Sequence, residues 1–164
     1  MLNLTVKAAK ANFFDRNKVQ EAMTAATRKV LSRFGAYVRQ RAKTSLRYRE
    51  RSSLPGNPPF VHRTALRRKT NKKTGTRTIQ AVSPLRELIL FAYDAERHSV
   101  VIGPALLRAG SKVPSLLEYG GVGEVRDPIT RKVRKATFAP RPFMRPAFDE
   151  ELQQLPPNWR DIIR

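Results

Sequence analysis

Between Asn17 and Leu46 the apolar side chains Val19, Met23, Ala26, Val30, Phe34, Val38 and Ala42 recur at steps of three and four residues. That spacing places them along one stripe and predicts a single long amphipathic helix. Asn17 followed by Gln20 resembles a capping box at its start. Arg28, Lys29, Arg33, Arg39, Arg41 and Lys43 fall largely off the stripe and form a basic outer face, which a solvated surface accounts for. Gly35 interrupts the helical pattern at a cost of about 1 kcal/mol relative to Ala.

Apolar periodicity stops at Arg47 and does not resume before Arg77. The stretch RYRERSSLPGNPPFVHRTALRRKTNKKTGTR carries ten basic residues and one acidic residue. Pro55, Pro58 and Pro59 restrict their own backbone and that of their predecessors, while mutual repulsion of Arg67, Arg68, Lys69, Lys72 and Lys73 opposes compaction. Residues 47–77 therefore read as an extended basic arm or loop inserted between the long helix and a sheet. An insertion of this length is usually disordered or functional, and a segment ordered by a partner is expected.

After Pro84 the pattern changes to short β-rich runs. LILFAYD and SVVIGPA flank the polar AERH and predict an antiparallel hairpin. Pro114 to Tyr119 predicts a short helix ended by Gly120 and Gly121. VGEVRD and VRKATFA flank a turn at Asp127, Pro128, Ile129 and Thr130 and predict a second hairpin. PRPFMRPAFDEELQQL then opens a C-terminal helix near Pro146, with Asp149, Glu150 and Glu151 expected early in it, where the helix dipole favours negative charge. PPNWRDIIR adds a last turn, with Trp159 and Ile162 expected to pack. The fold class that follows is α+β, in one domain over residues 1–164: a long N-terminal amphipathic helix packed on a small antiparallel sheet, the basic arm, and a short C-terminal helix.

Charge alters this picture more than overall composition does. The chain of 164 residues holds 33 Lys and Arg against 13 Asp and Glu, a formal +20. Residues 1–77 carry 20 basic and 3 acidic side chains, whereas residues 78–164 carry 13 and 10. The positive field belongs to the first half. It attracts nucleic acid, acidic protein surfaces or anionic membranes with little discrimination. Cysteine is absent, which excludes disulfides, thiolate zinc sites and a thiol nucleophile. The start MLNLTVKAAKANFF lacks the pattern of a signal peptide, and no run approaches the roughly 20 apolar residues that span a bilayer, so neither secretion nor a membrane partner is expected.

No catalytic, metal-binding or cofactor-binding constellation emerges from the spacing. His62 lies in the basic arm without a neighbouring acid, and His98 lies at a hairpin turn beside Asp94 and Glu96. PGNPP has one Gly among rigid prolines, unlike a phosphate-cradling loop. Glu118 ends an apolar segment before two glycines, and a partner Arg across an interface suits it better than catalysis. A non-enzymatic protein without a cofactor is expected. Arg67, Arg68, Lys69, Lys72 and Lys73 are the candidate contacts to DNA or to an acidic partner, with Tyr48 and Phe60 available for stacking. Phosphate contacts of this kind carry no base information.

Three segments taken in order carry a resemblance. SSLPGNPPFVHRTALRR, residues 52–68, follows the long helix; SLLEYGG, residues 115–121, follows the VVIGP strand; APRPFMRPAFDEEL, residues 139–152, opens the last helix. Together they resemble the lambdoid tailed-phage morphogenesis family of neck, head–tail joining and tail-completion proteins that includes the minor tail protein Z type. Thr64 is followed by Ala65 where that family typically has Gly, so this turn departs from the pattern.

The resemblance implies a structural virion protein, assembled in the host cytoplasm as a homo-oligomeric ring around the DNA channel. Six subunits are expected, with portal, adaptor, stopper or tail-tube proteins as neighbours and non-specific contact with packaged DNA. It also implies scaffold or subunit-interface roles for Pro55, Gly56, Pro58, Pro59, Glu118, Tyr119, Gly120, Pro142, Phe143, Met144, Arg145 and Pro146. Pro142 and Pro146 would fix the approach to the last helix, while Phe143 and Met144 insert into the core or into a neighbouring subunit. The alternative is a non-specific nucleic-acid-binding module; a small basic nuclease is more distant for want of catalytic residues.

Overall fold

A stripe of apolar side chains becomes a core only where another element covers it, and the long helix is covered along part of its length. The computed structural model describes residues 16–70, 75–105, 112–127 and 130–160. Helix α1 runs Arg16–Ser45. Val30, Phe34, Val38 and Ala42, with Leu46 just beyond the helix, are buried. Full burial of side chains such as Val and Leu contributes about 1.5–3 kcal/mol each. Val19 and Met23, at the upper end of the same stripe, remain 41% and 66% exposed, so the core expected along the whole helix forms only on its lower half. Asn17 stands inside α1 rather than ahead of it, so the capping box is not the start of the helix.

Three antiparallel hairpins follow, each a separate two-stranded sheet rather than part of one continuous sheet. The first pairs β1, Ala65–Thr70, with β2, Arg77–Val82. The second, after a short helix α2 at Pro84–Glu87, pairs β3, Ile89–Asp94, with β4, Ser99–Pro104. Helix α3, Val113–Tyr119, leads into the third, β5 at Gly121–Arg126 with β6 at Val133–Phe138. Helices α4, Met144–Leu152, and α5, Leu155–Arg160, complete the described chain. The architecture is α+β, with a long N-terminal helix packed on small antiparallel sheets and a short C-terminal helix.

The β1–β2 hairpin places a strand, Ala65–Thr70, within the extended basic arm or loop expected over 47–77. A ribbon in solvent needs no apolar alternation, because its strands hold each other by backbone hydrogen bonds while long charged side chains project alternately to two wet faces. Arg67 and Arg68, at successive positions of β1, fall on opposite faces of the ribbon. Arg77, Thr78, Ile79 and Gln80 are all exposed, and only at Val82 does the ribbon reach the core. Upstream, Leu54, Pro55, Gly56 and Asn57 form a tight turn, in which the Asn57 N–H donates to the Leu54 carbonyl at 3.2 Å. Gly56 takes φ 81°, which a Cβ would strain.

The β3–β4 hairpin sits directly on α1, and Gly35 permits the approach. A Cβ built at Gly35 would lie 2.8 Å from both Cδ2 of Phe91 and Cγ2 of Val100. The residue that weakens helix propensity is thus the one at which helix and hairpin meet. Helix α4 crosses the same helix nearby, where Phe34 and Phe148 meet edge to face at 5.5 Å.

Asp149, Glu150 and Glu151 lie in the second half of α4, not in its first turn. Their charge is offset by arginines instead of the helix dipole. Arg41 of α1 reaches Glu151 at 2.6 Å and Glu150 at 2.5 Å, and Arg145 reaches Asp149 at 2.9 Å. Trp159 is half-buried on α5, and Ile162 lies outside the described residues.

Candidate functional site

The three motif segments, far apart in sequence, meet at one corner of the fold. Glu118, on the last turn of α3, directs its carboxylate at the start of α4. Oε2 accepts the backbone N–H groups of Phe143 and Met144 at 3.0 Å each, and Oε1 accepts that of Arg145 at 2.7 Å. A helix leaves its first four N–H groups without intrahelical partners. Here those four belong to Phe143, Met144, Arg145 and Pro146, and the fourth, being proline, has no N–H. The carboxylate therefore satisfies every donor at this helix start and also places negative charge at its positive pole. A partner's Arg was expected to suit Glu118 better than catalysis; within its own chain the carboxylate accepts these three N–H groups.

The backbone between the segments is tied in the same way. The Arg141 N–H donates to the Leu117 carbonyl at 2.6 Å, its Nε donates to the Ser53 carbonyl at 3.2 Å, and the Gly56 N–H donates to the Pro140 carbonyl at 2.8 Å. Gly120 ends α3 with φ 72°, and a Cβ there would fall 2.9 Å from the Phe138 carbonyl oxygen. Phe143 is fully buried among Phe34, Val38 and Ile89, so its packing lies within the subunit. Met144 is half-buried against the same core and Pro59 is buried. Pro58 and Pro142 are half-buried, whereas Pro55, Arg145 and Pro146 are exposed. Tyr119, one residue from Glu118, is 78% exposed and lines a shallow cleft with Glu118, Phe143 and Met144. Helix α4 begins at Met144, two residues before the Pro146 expected to open it.

A second grouping is electrostatic. Arg67 pairs with Glu87 at 2.5 Å; Lys43 donates to the Glu87 carbonyl at 3.0 Å and Arg39 to the Ile89 carbonyl at 2.9 Å. The guanidinium groups of Arg63 and Arg86 lie 4.6 Å and 5.0 Å from the ring centre of Tyr48. Arg39, Arg67, Arg86 and Glu87 thus all act on the Lys43 ammonium, while Arg63 joins Arg86 on the Tyr48 ring. The Lys43 ammonium is pushed below its usual pKa, by burial first and then by Arg39, with Glu87 opposing the shift.

Of the cations singled out in the sequence, the structure brings Arg67 into this group. Arg68 points to the other face of β1, the Lys69 side chain lies outside the described residues, and so do Lys72 and Lys73. Arg39, Lys43, Arg63 and Arg86 were missed as members. The four-residue spacing of Arg39 and Lys43 was a readable signal, but nothing local places Arg63 and Arg86 on one ring. His62 is exposed, and His98, at the β3–β4 turn, lies with Nδ1 3.2 Å from the Tyr93 hydroxyl. Among the described residues no group of three or more His, Asp or Glu is placed to hold a metal ion, and no helix is long and apolar enough to cross a membrane.

Comparison of the chain with protein-family models, with curated proteins and with solved structures gives no match.

Proposed function

We propose that this protein is a structural subunit of the neck of a tailed-phage virion, joining or completing the head–tail interface as a ring around the DNA channel. The observation that carries the reading is the corner where 52–60, 115–121 and 139–146 are hydrogen-bonded together through Glu118, Arg141 and Gly56. The segments on which the resemblance rests are thereby one architectural unit, built from backbone capping and close glycine contacts. Such a unit serves a scaffold and has no need of a reacting group. The basic flank around Tyr48 and Glu87 suits a subunit that lies near phosphates or near an acidic neighbouring ring.

The test is the native assembly. Purified protein, and virions that contain it, are examined by mass photometry and cryo-microscopy, and a closed ring of six subunits is expected. A monodisperse monomer in both settings overturns the reading. The cation group also supports the second reading, a stand-alone nucleic-acid-binding module, for which the expected result is a monomer with tight duplex binding.

A further inference from the structure

A hairpin whose two faces are both apolar is normally covered on both. The β3–β4 hairpin has such a sequence and is covered on one. Ile89, Phe91 and Tyr93, with Val100 and Ile102, turn toward α1 and the core. The opposite face carries Leu90, Ala92 and Val101, and Leu90 and Val101 are 48% and 66% exposed. The β1–β2 hairpin presents a similar face, with Leu66 and Ala81 near its base and Ile79 beside Arg68 further out; Leu66 and Ile79 are 77% and 67% exposed. Exposed apolar patches on two separate ribbons mark contact surfaces.

Their charges differ in sign toward the tips. The β1–β2 face ends in Arg68 and Arg77, while the β3–β4 face ends in Asp94, with Glu96 and Arg97 in the turn beyond it, two carboxylates against one cation. Packed tip beside tip, either face on its own counterpart in a second copy brings like charges together, whereas one on the other brings Arg68 and Arg77 toward Asp94 and Glu96. Aligned packing keeps the strand axes of two sheets within about 30° of each other, and of the two directions this allows, tip beside tip is the one that brings the opposite charges together. A contact between two different faces of identical chains is heterologous, the kind of contact that makes a ring when its rotation closes and a filament when it does not.

We propose that the Leu66–Arg68–Ile79 face of the β1–β2 hairpin docks on the Leu90–Ala92–Val101 face of the β3–β4 hairpin of a second copy. This inference rests on the ring reading above and names the surfaces that would make the ring.

The absence of cysteine makes the test clean. Ile79→Cys and Val101→Cys are placed singly and together in the full chain, and each variant is treated with a bismaleimide spanning about 10 Å, the separation of face-packed sheets. Both positions are exposed, and unfolding curves matching the parent check that the variants fold. The double variant is expected to give a ladder of covalent oligomers; each single variant alone gives none, and an equimolar mixture of the two gives a dimer. An assembled ring without 79–101 crosslinks overturns the docking and leaves the ring standing, as does crosslinking of Ile79→Cys to itself. A chain that remains monomeric at every concentration and in the virion overturns both.

Discussion

Glu118 Oε2 stands 3.0 Å from the backbone nitrogen of Phe143, 25 residues further along the chain, and this contact joins the end of one helix to the start of another. Glu118→Ala leaves the N–H groups of Phe143, Met144 and Arg145 without their acceptor. Loss of an acceptor for such donors costs about 1–3 kcal/mol. Urea unfolding should show that loss, with a smaller one for Glu118→Gln, whose remaining carbonyl oxygen still accepts. Equal stability of Glu118→Ala and the parent would mean that solvent caps α4 equally well.

Phe143 is the largest fully buried side chain among the described residues. Phe143→Ala is expected to cost about 3–5 kcal/mol, the transfer term plus the cavity it leaves. Chemical denaturation of the variant measures this directly. Assembly should fail with it, because α4 carries the corner in which the three segments meet. Unchanged melting would place the ring outside the core.

Gly35→Ala opposes two effects of known sign. Ala in place of Gly raises helix propensity by about 1 kcal/mol. The new Cβ would lie 2.8 Å from Phe91 and Val100, and overpacking of this kind costs about 1–3 kcal/mol. Both neighbours sit on a hairpin held at its base by the core, so the steric cost should win. A net destabilisation in thermal unfolding is the expected sign; a net gain would show that the hairpin shifts freely on α1.

Replacing Arg67, Arg68, Lys69, Lys72 and Lys73 together by Gln should leave folding nearly intact. The ion pair it removes, Arg67 with Glu87, has an Arg side chain 61% exposed, and pairs of this kind contribute about 0–1 kcal/mol. The variant should instead fail to yield joined heads and tails, or should leak packaged DNA. High salt should mimic it in the wild type, since the screening length falls from about 10 Å at 0.1 M to about 3 Å at 1 M. Nuclease treatment releases the segment if its partner is DNA and not if it is protein. Wild-type infectivity with full DNA retention would reduce these charges to a solvated surface.

The sequence by itself determined what depends on neighbours in the chain. The three-to-four spacing from Val19 to Ala42 gave the long helix, β-rich runs around polar turns gave β3–β4 and β5–β6, and two glycines after Tyr119 gave the end of α3. Each of these signals is complete within a few residues. The β1–β2 ribbon escaped because its pairing is carried by backbone groups, which every sequence possesses, and its strands bury almost no side chain to leave a pattern.

Only the tertiary structure decided which part of each pattern is used. Val30 and Met23 belong to one stripe, yet the first is buried and the second is exposed, because the hairpin and α4 that cover the stripe reach only its lower half. Glu118 looked like a carboxylate awaiting a partner, since nothing local says that the start of α4 will arrive beside it. Gly35 looked like a flaw in a helix until Phe91 and Val100 were placed against it. Periodicity reports which side chains face the same way; it does not report what is packed against them, which depends on contacts between residues distant in sequence.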